Sequence, residues 1–107
     1  MSGAKPTSFQ AGVYSGALAY LRAVAAIGST DGQRVVAEMK RLPFSDPLFG
    51  PMSIRADGRA LHAMYLFEVK APEESRGPWD FYKTVSIIPA DQAFRPLVDG
   101  HCPLVTN

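Results

Sequence analysis

The sequence predicts a chain of α+β order, a helical hairpin followed by antiparallel strands. Three observations carry this. Apolar residues recur at three- and four-residue steps over residues 9–27, two runs rich in strand formers lie at 60–70 and 81–88, and an Asp57-Gly58 pair marks a tight turn before the first run. With 107 residues, 47% of them hydrophobic, the chain has the size of one ordinary domain and enough apolar content for a core. A second full domain does not fit.

The first helix is expected from Phe9, Val13, Ala17, Tyr20 or Leu21, Val24 and Ile27, which fall on one face; Ser8 reads as its N-cap and Gly28 as its end. Small residues crowd the same stretch (Ala11, Gly12, Ser15, Gly16, Ala17, Ala19), so another backbone or a ligand could come close. Tight packing on a neighbouring element is the simpler reading. Thr30 followed by Gln33 has the form of a capping box for a second helix, with Val35, Val36, Met39 and Leu42 as its apolar face. Arg34, Glu38 and Lys40 or Arg41 lie nearer solvent, and Pro43 stops the helix.

Residues 43–52, broken by Pro43, Pro47, Gly50 and Pro51, read as a loop. Ser53, Ile54 and Arg55 form a short strand into the turn Ala56-Asp57-Gly58-Arg59, where Gly58 can take positive φ without a Cβ clash. The runs 60–70 and 81–88 then pair antiparallel across the polar connection 71–78. A turn or short helix is expected at 90–94. The rest of the tail is irregular but apolar in places, and should lie against something.

Eleven Lys and Arg against ten Asp and Glu give a formal charge of +1, scattered without runs, which argues against a nucleic-acid partner. Cys102 is the only cysteine, so an internal disulfide is excluded while a bridge to another chain stays open. Residues 1–8 lack the apolar core and cleavage site of a signal peptide, and no apolar run approaches the ~18 residues of a membrane span. As it stands the chain is expected to be cytoplasmic if Met1 is the true start.

No residue set reads as catalytic or metal-binding. His101 and Cys102 are adjacent, so their side chains diverge, and His62 is remote. One cysteine and two separated histidines give zinc too few ligands. Asp57 and the pair Glu73-Glu74 lack calcium-loop spacing, and Gly28 to Gly32 has neither the preceding strand nor the lysine of a phosphate cradle. Trp79, Phe81 and Tyr82 could stack on nucleobases, but without a basic stripe strand-edge packing is the better reading. No cofactor and no enzymatic activity are expected.

Several stretches, taken in order, carry a resemblance. They are Gln10-Ala11-Gly12-Val13-Tyr14-Ser15; Arg55-Ala56-Asp57-Gly58-Arg59 with Met64-Tyr65-Leu66-Phe67-Glu68-Val69-Lys70; and Gly77-Pro78-Trp79-Asp80-Phe81-Tyr82-Lys83 running to Ile88-Pro89. Ala93-Phe94-Arg95-Pro96-Leu97 and Cys102-Pro103-Leu104-Val105 close the series. The succession resembles the C-terminal region of solute-binding proteins of the leucine/isoleucine/valine-binding family of ABC transporters. The resemblance implies a C-terminal portion of a two-lobed α/β periplasmic-binding fold, with 1–107 as a single partial domain: extension 1–8, helical hairpin 9–42, loop 43–52, strands 53–88, tail 89–107. It implies a periplasmic location, a small organic solute such as an amino acid, amide or aromatic acid, and an ABC permease as partner. It also places the head of the first helix near the interlobe cleft, which makes Gln10 and Tyr14 the candidate ligand-binding residues.

Most of both lobes would come from elsewhere. Faces left bare in this way predict a homo-oligomer. The alternative function is a stand-alone, non-catalytic dimerising module without a ligand.

Overall fold

Thr7 opens the first helix. In the computed structural model, which describes residues 5–103 and 105, helix α1 spans Ser8–Ile27. Residues 1–4 of the expected extension and residues 104, 106 and 107 of the expected tail lie outside the described residues. Thr7 is the N-cap in place of the expected Ser8: its Oγ1 accepts from the Gln10 N–H (3.3 Å), and Gln10 Oε1 accepts from the Thr7 N–H (2.9 Å). This reciprocal box satisfies two otherwise orphaned donors. Gly28 ends α1 at φ 62°, as expected of a left-handed cap.

Helix α2 spans Gly32–Arg41, and its N-cap is Asp31, not Thr30; the Asp31 carboxylate accepts from the Arg34 N–H at 3.0 Å. The two candidate caps are neighbours, and the carboxylate wins with its formal charge at a helix N-terminus. The chain turns by 103° between α1 and α2, so the hairpin is an open one, near a right-angle corner.

The segment 43–52 is not a loop. It holds β1 (Phe44–Asp46) and the start of β2 (Gly50–Ile54), paired antiparallel with Phe44 opposite Met52 and Asp46 opposite Gly50. Asp46 Oδ1 accepts from the Leu48 and Phe49 N–H groups (2.7 and 2.9 Å), closing the turn, and Gly50 at φ 72° returns the chain. Nothing lies within 4 Å of a Cβ built on Gly50, so Gly50→Ala meets only backbone strain. It is expected to lower stability by about 1 kcal/mol in thermal unfolding; an unchanged midpoint would contradict this.

The Asp57-Gly58 turn forms as expected, with Gly58 at φ 83°, and joins β2 to β3 (Ala60–Leu61) in a sheet of order β1-β2-β3. The run at 60–70 is broken at His62-Ala63, so β4 (Met64–Val69) leaves this sheet and, among the described residues, pairs with β5 (Tyr82–Ile88) alone. The tail folds into a four-residue helix α3 (Ala90–Ala93) and a short 3-10 turn at Leu97–Gly100. It packs back toward β3.

The small core lies between α1, α2 and the first sheet, where Ala19, Ala23, Val35 and Met52 are buried. The helices therefore cover β1–β2 and leave the β4–β5 ribbon exposed on both faces. Its register puts Tyr65, Phe67 and Val69 opposite Ile87, Thr84 and Tyr82 on one face, so that face is aromatic along its length. The other face is apolar at Met64, Leu66 and Ile88, then charged where Lys83 meets Glu68 (3.3 Å) and Glu74 (2.8 Å). A slip in register after Leu66 leaves one extra residue, Val85, on β5.

The surface measures this openness. A compact monomer of this mass exposes about 5,800 Å², whereas this chain exposes 8201 Å². Its radius of gyration is 17.1 Å, against about 13 Å for a closed domain of the same length.

Candidate functional site

Helix α1 is apolar on nearly all sides, and the chain packs against the side with small residues. Ser15, Ala19 and Ala23 are the buried positions, while Phe9, Val13, Tyr20 and Leu21 of the expected apolar face are exposed. That face exists as the periodicity predicts, but it does not serve the core of this chain. A helix apolar all round is normally buried all round. Gly12 and Gly16, with open space at both, leave a second strip where a backbone could approach.

Gln10 and Tyr14 stand one turn apart near the N-terminal end of α1, in line with Ala17 and Leu21. Tyr14 is 53% exposed. The Gln10 carbonyl is engaged in the helix cap, which leaves its amide N–H groups as the available donors. The structure thus brings the two candidates onto one accessible strip, with none of the described residues closing over them.

What fixes that strip in space is a polar latch on the opposite side of the helix. Ser15 Oγ donates to Asp46 Oδ2 at 2.7 Å, and both residues are nearly inaccessible, at 4% and 2% exposure. Arg22 reinforces it, its Nη1 donating to the Ser45 carbonyl at 2.7 Å while the guanidinium lies over Phe44. Burial pushes the Asp46 pKa up, but the Ser15 hydroxyl and the Phe49 and Leu48 N–H groups, aided by Arg22, bring it below the ordinary carboxylate value. The prolines and glycine around Asp46 give the segment the pattern of a loop, which hides the role of Asp46. The signal available was a buried-face serine among alanines.

The enclosed space near α1 is small. A cavity of about 60 Å³ between α1 and α2, lined by Ala19, Ala23, Met39, Leu42 and Phe44, is well short of the space an amino acid needs. Trp79, singled out for its aromatic neighbours, adopts φ 70° on a turn held by Asp80, whose carboxylate accepts from Lys70 Nζ (2.7 and 2.8 Å) and the Arg76 N–H (2.9 Å). Its ring meets Phe81 edge-on just ahead of β5, and both rings stay exposed. Among the described residues no group of His, Cys, Asp and Glu is placed to hold a metal ion, and no helix is long and apolar enough to cross a membrane.

A family model described as periplasmic binding protein matches residues 1–77. The chain belongs to the periplasmic binding protein family, as its sequence motifs indicated. Its structure is similar to a branched chain amino acid ABC transporter periplasmic ligand-binding protein from Burkholderia xenovorans LB400, with 45% identity and a TM-score of 0.89, over 96% of this chain and 28% of that one. A periplasmic binding protein from Burkholderia mallei shares 45% identity at a TM-score of 0.88, over 96% of this chain and 27% of that one. An amino acid ABC transporter substrate-binding protein from Pseudomonas fluorescens Pf-5 shares 30% identity at 0.82, over 94% and 26%. No match was found among curated proteins. The chain spans about a quarter of the length of the structures it resembles.

Proposed function

We propose that this chain is the C-terminal part of the solute-binding component of an ABC importer for amino acids or related small organic solutes, working without catalysis in the periplasm and delivering its solute to a membrane permease. The observation that carries the reading is α1 itself: small residues lock one side onto the chain's own hairpin, and the opposite side presents Gln10 and Tyr14 on an apolar strip that needs a second wall. The remainder of a two-lobed fold supplies that wall, and lobe closure shifts the population toward the bound state. Tyr14 contributes an apolar ring with a hydroxyl, and Gln10 a pair of amide donors.

A chimera tests this. This chain replaces the matching segment of the Burkholderia xenovorans protein, and leucine, valine, phenylalanine and benzoate are titrated by calorimetry. One of these solutes is expected to bind, and Tyr14→Ala to weaken it by about tenfold or more, since an aromatic contact and a hydrogen bond go together. A folded chimera that binds none of them, or binds equally well with Tyr14→Ala and Gln10→Ala, would overturn the assignment.

A further inference from the structure

Two of the stretches that mark the family lie far apart in the sequence, and the structure joins them. Arg55 Nη1 donates to the Arg95 carbonyl, 40 residues away, at 2.9 Å, while the rest of its fork holds Asp57 at 3.0 and 2.8 Å. The Arg59 guanidinium lies over the Phe94 ring, 5.8 Å from its centroid. Between the two stretches runs an open groove of about 540 Å³, lined by Arg59, His62, Phe94, Arg95, Gly100 and Cys102 together with the Asp57 turn.

The charges in this groove do not cancel. Asp57 is engaged by Arg55, which holds its pKa down to about 2, so it stays ionised and paired there. Among the described residues, no ion pair or hydrogen bond engages the guanidinium of Arg59 or of Arg95. Two uncommitted cations therefore share one groove. Arg59 is already held by its stacking on Phe94, so it loses less freedom when it grips a ligand. His62 stands between Phe49 and Phe94 with Nδ1 2.8 Å from the Ala63 carbonyl, which leaves Nε2 as its open ring nitrogen.

We propose that this groove binds a small oxyanion, the phosphate or carboxylate group of a solute, held between the planar forks of Arg59 and Arg95. Two guanidinium forks match the paired oxygens of either group, and the volume fits a metabolite-sized ligand. The site lies on the turn and tail, distinct from the strip of Gln10 and Tyr14 on α1.

Equilibrium dialysis of the 107-residue chain, with radiolabelled inorganic phosphate in one arm and succinate in the other, tests it at neutral pH and fixed ionic strength. Saturable binding of about one anion per chain is expected, and the tighter probe tells phosphate from carboxylate. Arg59→Gln with Arg95→Gln should weaken it at least about tenfold, the loss of two charge-assisted contacts, while Arg34→Gln on α2 leaves it unchanged. Arg95→Gln keeps the link between turn and tail, because Arg55 grips the Arg95 carbonyl and not its side chain, while Arg59→Gln gives up the stacking on Phe94; circular dichroism checks that the double variant stays folded. Absence of saturable binding in both arms, or equal binding by the double variant, would overturn the proposal.

Discussion

The isolated 107-residue chain is expected to sediment at micromolar concentration as a dimer or larger species. Its β4–β5 ribbon has, among the described residues, two unpaired edges and a face built of Tyr65, Phe67, Val69, Tyr82 and Ile87, all exposed. The charges of the ribbon gather on the other side at Glu68 and Lys83, which leaves this face open to docking of a second copy. The chain exposes about 2,400 Å² more than a closed monomer of its mass. A standard stable interface needs only about 800 Å² from each partner. Phe67→Asp with Tyr82→Asp places two charges at the centre of the face and should weaken association by at least about tenfold. A single species at monomer mass, with Phe67 and Tyr82 protected from solvent, would contradict the expectation.

The second large effect is expected at Asp46. Replacing it with alanine leaves the Ser15 hydroxyl and the Leu48 and Phe49 N–H groups without their acceptor at a nearly inaccessible site. A loss of about 3 kcal/mol follows, enough to free α1 from the β1–β2 hairpin. Asp46→Asn should lose less, because an amide oxygen still accepts from the backbone. The folded-state pKa of Asp46 lies below the unfolded value, so its stabilisation is complete above about pH 4 and drains away as pH falls through the lower folded value. Asp57, held at about 2 by Arg55, acts in the same direction and window. Chemical denaturation between about pH 5 and pH 2 should therefore show a shallower slope in Asp46→Ala than in the wild type. Equal slopes, or a loss under 1 kcal/mol, would show that the latch is not what holds the helix.

Helix α1 was legible because twenty residues of sustained periodicity outvote any local ambiguity, and its end at Gly28 needed only one residue with positive φ. The expected caps each fall one residue away from the observed ones, since Thr7 and Ser8, or Thr30 and Asp31, are adjacent residues that can both cap; geometry chooses the first, and the Asp31 charge favours the second. The β1–β2 hairpin has the sequence pattern of a loop for a different reason. A strand of three residues leaves no alternation to detect, and its stability comes from Ser15, 31 residues away.

The orientation of α1 was the deepest gap. Periodicity located the face of Phe9, Val13 and Leu21 correctly but could not say that this chain packs on the opposite side. For the same reason, Gln10 and Tyr14 came from family resemblance and not from any chemical pattern; the structure adds that they share an accessible strip, and the chimera decides their role. The exposed ribbon, by contrast, was foreshadowed by apolar residues at successive positions in Met64–Val69, a pattern of strands that want cover on both faces.

Titration calorimetry on the isolated chain bears most directly on the claim that it forms one wall of a binding site. Leucine, valine, phenylalanine and benzoate are each expected to give no tight heat signal that depends on Tyr14, because a single wall cannot desolvate a ligand on both sides. Submicromolar binding of any of them by a chain shown to be monomeric, lost with Tyr14→Ala and kept with Arg59→Gln and Arg95→Gln, would contradict that claim.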